Sequence, residues 1–141
     1  MLIKNILICE DIRQEVGNKL SLMGVLGSSI NIDTPPNMPK EFSLALSLAC
    51  LISIENTNTG NDAKDFNIQI SIFIGENKIG NITAKIQSTG IIDRMSHFPV
   101  PKFEFAINKT ITLSVHAQIM KKNTLVSENT AILDIILNKI S

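Results

Sequence analysis

The sequence has no tryptophan or tyrosine and few charged residues. Large aromatic side chains anchor many protein interfaces and form platforms on which nucleic-acid bases stack, so the usual sequence sign of a binding site is missing. Charged residues make up 18% of the chain, whereas about 25% is typical of soluble domains. The 13 basic and 13 acidic residues are spread along the chain and cancel to a net charge of zero. Because phosphate backbones require clustered Lys and Arg, we predict no nucleic-acid partner.

The chain also lacks long hydrophobic runs and is poor in cysteine. No apolar run approaches the roughly 18 residues that a membrane span needs, so no membrane partner is predicted. The apolar stretch at residues 1–9 is broken by Lys4 and lacks a small-residue cleavage site, which argues against a secretory signal peptide. We therefore expect a cytoplasmic protein. In that reducing compartment the two cysteines, Cys9 and Cys50, are expected to be buried free thiols.

The clearest positive signal is a period of two in the run from Phe42 to Ile54. Its even positions are all apolar, and its odd positions are mostly Ser and Ala. Successive side chains of a strand point to opposite faces, so the run predicts a strand with one large apolar face and one small-residue face. As a helix, the same run would scatter its leucines around the whole circumference. The alternation recurs at residues 66–74, 103–107 and 111–120.

Turn signals divide the rest of the chain into further short strands. The first three are predicted at residues 3–9, 20–26 and 28–33, and the polar residues 10–17 are expected to form a loop or one helical turn. Gly24 lies inside the second strand, where glycine often marks a bulge or a close backbone approach.

Prolines and the chain's last segment complete the prediction of the fold. Three prolines within residues 34–39 forbid both helix and central strand, so an extended crossover is expected there. Pro99 and Pro101 predict an edge strand or an irregular segment, because proline removes a ladder donor. Residues 130–140 fit a strand or a helix, and their β-branched content favours strand. We predict a single domain over residues 1–141, an antiparallel β-sandwich of about eight to ten short strands, with a β-barrel as the alternative.

Residues able to do chemistry are few and are not arranged in motifs. Cys9, Cys50, His97 and His116 show none of the pairing, two to four residues apart, that structural zinc sites use. Cys50 lies in an apolar run, whereas a cysteine nucleophile needs an exposed, electropositive setting. We therefore predict no catalytic residue, no metal site, no cofactor and no enzymatic activity.

A polar loop offers the best candidates for ligand binding. Glu10, Asp11 and Arg13 lie in the loop predicted at residues 10–18, and a second polar loop is expected at residues 56–65. Adjacent acids on an extended chain point apart, and their spacing does not match a calcium-binding loop. A solvated loop with a turn-capping Asp is the plainer interpretation.

A small, uncharged strand surface is the other candidate. Open strand faces and edges normally carry Lys or Glu to discourage unwanted pairing, and two predicted strands lack them on their outward faces. Such a face needs a cover, which is a second sheet, a loop, another subunit or a partner protein. The candidate interaction face consists of Ser43, Ala45, Ser47, Ala49, Thr112, Ser114, His116 and Gln118.

The N-terminal third resembles a group of small bacterial and phage proteins of unknown function. The resemblance covers about residues 5 to 50 and implies a β-sandwich without supplying an activity. It rests on four short motifs, which are Cys9-Glu10-Asp11-Ile12-Arg13-Gln14-Glu15, Gly17-Asn18-Lys19, Ser21-Leu22-Met23-Gly24-Val25 and the proline-rich crossover from Pro35 to Phe42.

These observations lead to two functional hypotheses. The first is a non-enzymatic protein-binding or assembly module of a bacterium or phage, which acts through an open sheet face. Its partner is another protein or a second copy, since zero net charge leaves little repulsion between copies. The second is a sandwich that binds a small molecule or metal ion through the loops at residues 10–18 and 56–65.

Overall fold

The computed structural model describes residues 1–17, 19–39, 41–56, 65–86 and 95–139. These ranges contain nine strands and no helix, so they hold no helix long and apolar enough to cross a membrane. In chain order the strands are β1 (Leu2–Glu15), β2 (Lys19–Val25), β3 (Ser29–Thr34), β4 (Leu44–Glu55), β5 (Phe66–Ile74), β6 (Asn77–Lys85), β7 (Met95–Ile107), β8 (Ile111–Lys121) and β9 (Thr124–Lys139).

The nine strands form two sheets that pack face to face. One sheet has four strands in the order β2-β1-β4-β7, and the other has five in the order β3-β9-β8-β5-β6. All neighbouring strands run antiparallel except β3, which is parallel to β9. The chain changes sheets between β3 and β4, where the crossover was predicted. The predicted β-sandwich is therefore confirmed, with one parallel pair that the prediction lacked.

The core lies between the sheets and is built from the alternating residues. Ile52 of β4, Ile70 of β5 and Ile135 of β9 are each 0% exposed. The residues next to each of these along its strand point away from the core, because successive side chains of a strand lie on opposite faces. The strand predicted from Phe42 to Ile54 is observed from Leu44 onward.

The loop predicted at residues 10–17 is wrong, because β1 continues to Glu15. Its second half forms an antiparallel hairpin with β2, in register from Cys9 opposite Val25 to Glu15 opposite Lys19. Pairing with β2 gives the backbone N–H and C=O groups of these residues their hydrogen-bond partners, whatever the side chains are. Polar side chains are acceptable in a strand where it reaches solvent.

At Gly24 the finer expectation differs from what is observed. Its φ is +61°, and a Cβ built there would lie 2.7 Å from Cδ of the Glu10 side chain, whereas the register of β1 and β2 shows no bulge. Two other finer expectations are confirmed. Pro99 and Pro101 lie in β7, an edge strand of the four-stranded sheet. The last segment is strand through Lys139, so its helical alternative is wrong.

Candidate interaction surface

The outer surface of the five-stranded sheet is broad and accessible. We call the outward side chains of four of its strands, β9, β8, β5 and β6, the open face. The short edge strand β3 lies beyond β9 and is left out of this definition. Thr130, Thr112, Gln69 and Thr83, one from each of these strands, are all exposed. The open face comprises Leu125, Glu128, Thr130, Ile132, Asp134 and Ile136 of β9, Thr112, Ser114, His116, Gln118 and Met120 of β8, Asn67, Gln69, Ser71 and Phe73 of β5, and Lys78, Asn81, Thr83 and Lys85 of β6.

Side-chain hydrogen bonds tie β8 to β9 across the open face. Nε2 of Gln118 donates to Oε2 of Glu128 at 3.3 Å, and Nε2 of His116 lies 3.2 Å from the same oxygen. The Thr112 hydroxyl donates to Oδ1 of Asp134 at 2.8 Å. Cross-strand pairs of this kind hold side chains in fixed positions. A surface that is ordered in advance loses less side-chain entropy when something binds to it.

Charge on the open face is confined to its two margins. Glu128 and Asp134 lie on β9, whereas Lys78 and Lys85 lie on β6. The outward side chains of the two strands between them, β8 and β5, include no Asp, Glu, Lys or Arg. The margins therefore have opposite signs, and His116 is the one titratable side chain between them.

Apolar side chains interrupt the polar surface at more than one level of the sheet. At one level Met120 of β8 lies opposite Leu125 of β9, which is 46% exposed. Another level is that of Ile132 and Phe73. Ile132 is 57% exposed, and Phe73 is half-buried on β5. The register places Ile132, Ser114, Phe73 and Lys78 side by side across four strands. Nζ of Lys78 lies 5.7 Å from the centre of the Phe73 ring, within cation–π range.

The predicted interaction face is divided between the two sheets. Its β8 part, Thr112, Ser114, His116 and Gln118, lies on the open face. Its remaining part lies on or next to β4, in the four-stranded sheet on the other side of the sandwich.

The small-residue side of β4 is only partly accessible. Ser43 and Ala45 are exposed, but Ala49 is 1% exposed and is not available as a surface. A cleft of about 210 Å³ borders Ala49 and is lined by Leu20 of the β1–β2 hairpin and Pro99 of β7. Ser47 is half-buried, and within the described ranges its hydroxyl oxygen has no hydrogen-bond partner.

The predicted ligand residues Glu10, Asp11 and Arg13 lie on β1 rather than in a loop. The Asp11 carboxylate forms ion pairs with two basic side chains. Nε of Arg13 lies 3.6 Å from its Oδ2, and Nζ of Lys102 lies 4.0 Å from its Oδ1. Glu10 instead lies against Gly24. Within the described ranges, no three His, Cys, Asp or Glu side chains are grouped to hold a metal ion. The second ligand loop falls mostly on residues 57–64, outside the described residues.

One contact that sequence reasoning missed is a serine–histidine pair on the four-stranded sheet. Oγ of Ser53, a residue 8% exposed, lies 3.0 Å from Nδ1 of His97. His97 also lines a cleft of about 670 Å³ together with Leu20, Leu51 and Met95. Among the described residues no carboxylate contacts His97, so the third group that orients a catalytic base is not part of this pair. Only the register of β4 against β7 brings the two residues together.

The two cysteines are free and 0% exposed, as predicted. Cys9 is level with Ala49 of β4, and Cys50 is level with Ile8 of β1, so the two thiols point to opposite faces of the sheet. Such an orientation does not allow a disulfide. Burial raises the pKa of the Cys50 thiol to about 12, which keeps it protonated and unreactive.

No protein-family model, curated protein or solved structure matches this chain. The resemblance of residues 5–50 to small bacterial and phage proteins therefore stays a prediction.

Proposed function

We propose that this chain is a non-enzymatic protein-binding or assembly module of a bacterium or phage, which works in the cytoplasm through its open face. The observation that carries the proposal is the distribution of charge on that face. Surfaces that remain in water usually carry Lys, Arg, Glu and Asp interspersed among their outward residues. Here the outward residues of the two central strands, β8 and β5, are uncharged, and the charges lie on β9 and β6. Protein interfaces have this anatomy, with a core depleted of charge and a polar rim.

The size of the open face also suits an interface. Strands lie about 4.8 Å apart and rise about 3.4 Å per residue, so four strands of nine residues cover about 19 Å by 30 Å. Two such surfaces in contact bury about 1,200 Å², which is the lower end of the range for specific protein–protein interfaces.

Lysines placed on the open face test the proposal. Gln69 and Thr130 are exposed, so Gln69→Lys with Thr130→Lys leaves the core untouched. The matched control is Ser43→Lys with Ala45→Lys, at exposed positions on the opposite side of the sandwich. We expect light scattering to give the wild-type particle, with anything that co-purifies, a mass above the 15.5 kDa of one chain. The open-face variant should fall to one chain, and the control should keep the wild-type mass.

Two results would contradict the proposal. One is a wild-type mass of a single chain at every concentration, with nothing bound. The other is an open-face variant that folds and keeps the wild-type mass, because the association would then use a different surface.

Small-molecule or ion binding is the second candidate, and one observation favours it. The cleft of about 210 Å³ is lined by Asp11 and Lys102, with Arg13 next to Asp11, so opposite charges meet beside an apolar wall. A rise in melting temperature with one member of a metabolite and metal panel, lost in Asp11→Ala, would support it. An unchanged melting temperature across the panel would count against it.

A further inference from the structure

We infer that the partner of the open face is a second copy of this chain, related by a twofold axis that runs parallel to the strands between β8 and β5. The inference rests on the proposed function and deepens it by naming the partner and its orientation. It starts from the two margins of opposite charge, Glu128 and Asp134 on β9 against Lys78 and Lys85 on β6.

The direction of the twofold axis decides whether like or unlike charges meet. An axis across the strands places β9 over β9 of the second copy, so acidic margins face each other. An axis parallel to the strands and between β8 and β5 reverses the strand order, which places β9 over β6 and β8 over β5. Each acidic margin then lies over a basic margin, and electrostatic complementarity selects this orientation.

The register of the strands shows that both charge pairs fit at once. Thr83 is level with Glu128 through Gln69 and Gln118, and Lys85 lies two residues along β6 from Thr83. Lys78 is level with Ser114, and Asp134 is level with Thr112. The same step of two residues along the strands therefore separates Lys78 from Asp134.

Both lysines are displaced from their acids in the same direction along the strands. The step of two residues is about 7 Å. A Lys and an Asp or Glu side chain together span that displacement across two sheets packed about 10 Å apart. One placement of the second copy therefore satisfies Glu128 with Lys85 and Asp134 with Lys78.

The same placement brings together the uncharged centre. His116 of one copy lies over Ser71 of the other, and Gln118 lies over Gln69, because these residues share levels of the sheet. Ser114 lies over Phe73 and covers its ring, and Ile132 lies over Lys78. Since the interface is isologous, every contact occurs twice.

A charge-reversal experiment tests the orientation. In Glu128→Lys alone, two lysines meet at each contact, and in Lys85→Glu alone, two glutamates meet. When the two variants are mixed, every such contact again joins a lysine to a glutamate. We expect each variant alone to raise the dimer dissociation constant roughly tenfold or more at low salt, and the equimolar mixture to restore the wild-type value. Sedimentation velocity measures the three dissociation constants, and the effect should shrink in high salt.

Glu41→Lys and Lys109→Glu provide matched controls, because both positions are exposed and lie outside the open face. These variants carry the same charge changes and should dimerise as the wild type does, alone or mixed. Equal behaviour of the controls and the open-face variants would overturn the inference, since net charge alone would then explain the result.

The outcomes separate this inference from the proposed function. If Gln69→Lys with Thr130→Lys splits the particle but the mixed charge variants do not recover, the open face is an interface and the orientation inferred here is wrong. If the particle split by those lysines contains a different protein, the function stands and the second copy is wrong. If those lysines leave the particle intact, both proposals fail together.

Discussion

Raising the pH should destabilise this protein through its buried thiols, and Cys50 has the larger effect to measure. Cys50 is 0% exposed in the core, and burial raises its pKa to about 12 from the ordinary thiol value of 9.0. Between these values the unfolded chain has released the thiol proton and the folded chain has kept it. Because the unfolded state binds fewer protons there, the free energy of unfolding falls as pH rises. The stabilisation is fully present below pH 9 and is lost as pH approaches 12.

The size of this effect follows from the linkage relation. Each pH unit between the two pKa values changes the free energy of unfolding by about 1.4 kcal/mol, so about 2 kcal/mol is lost by about pH 10.5. Urea unfolding followed by circular dichroism at pH 8 and pH 10.5, at one protein concentration, measures the loss. Cys50→Ala removes the thiol, so its own fall over this interval should be about 2 kcal/mol smaller than that of the wild type. Equal falls in the two proteins would refute the argument.

Two further predictions concern the fold. Gly24→Ala should lower the free energy of unfolding by about 1–2 kcal/mol because of the positive φ. Adding Glu10→Ala in the same chain should recover only the part of that loss that comes from the side-chain contact, as urea unfolding will measure. Full recovery would show that the backbone conformation is not strained. Ile70→Ala should lower the free energy of unfolding by about 2–5 kcal/mol, since Ile70 is 0% exposed. Val16→Ala, at a position 95% exposed in the turn after β1 and outside the open face, is the control and should change it by less than about 0.5 kcal/mol; equal losses would place the core elsewhere.

Alternation along the chain was sufficient to predict the fold class. The period of two in β5 and β8 is imposed by burial of one face, and burial of that face is what the sandwich requires. In β4 both faces are buried from Leu48 to Ile54, so its alternation there is one of side-chain size. The strand at residues 10–15 was not predicted, because it is held by pairing with β2 and a polar composition does not reveal a backbone partner. The parallel pairing of β3 with β9 joins residues about a hundred positions apart, which no local pattern reveals.

The candidate surface could be predicted only in part, for the same reason. The outward residues of β8 followed directly from its alternation, and they form part of the open face. The sequence showed nothing of which sheet β4 would join, so Ala49 and Thr112 were assigned to one face although they lie in different sheets. The charged margins could not be predicted because they depend on strand order. Glu128 and Lys85 lie on opposite sides of the open face only because β8 and β5 lie between their strands.

Protection of an engineered thiol shows whether the open face is covered in the assembled protein. Thr130→Cys places a single reactive thiol there, and Ala45→Cys places one on the opposite side of the sandwich, while Cys9 and Cys50 are buried. If the open face is the contact surface, maleimide should label Thr130→Cys slowly at high protein concentration and rapidly on dilution or after Gln69→Lys is added. Ala45→Cys should react at one rate throughout. A rate at Thr130→Cys that matches the control and does not vary with concentration would contradict the account.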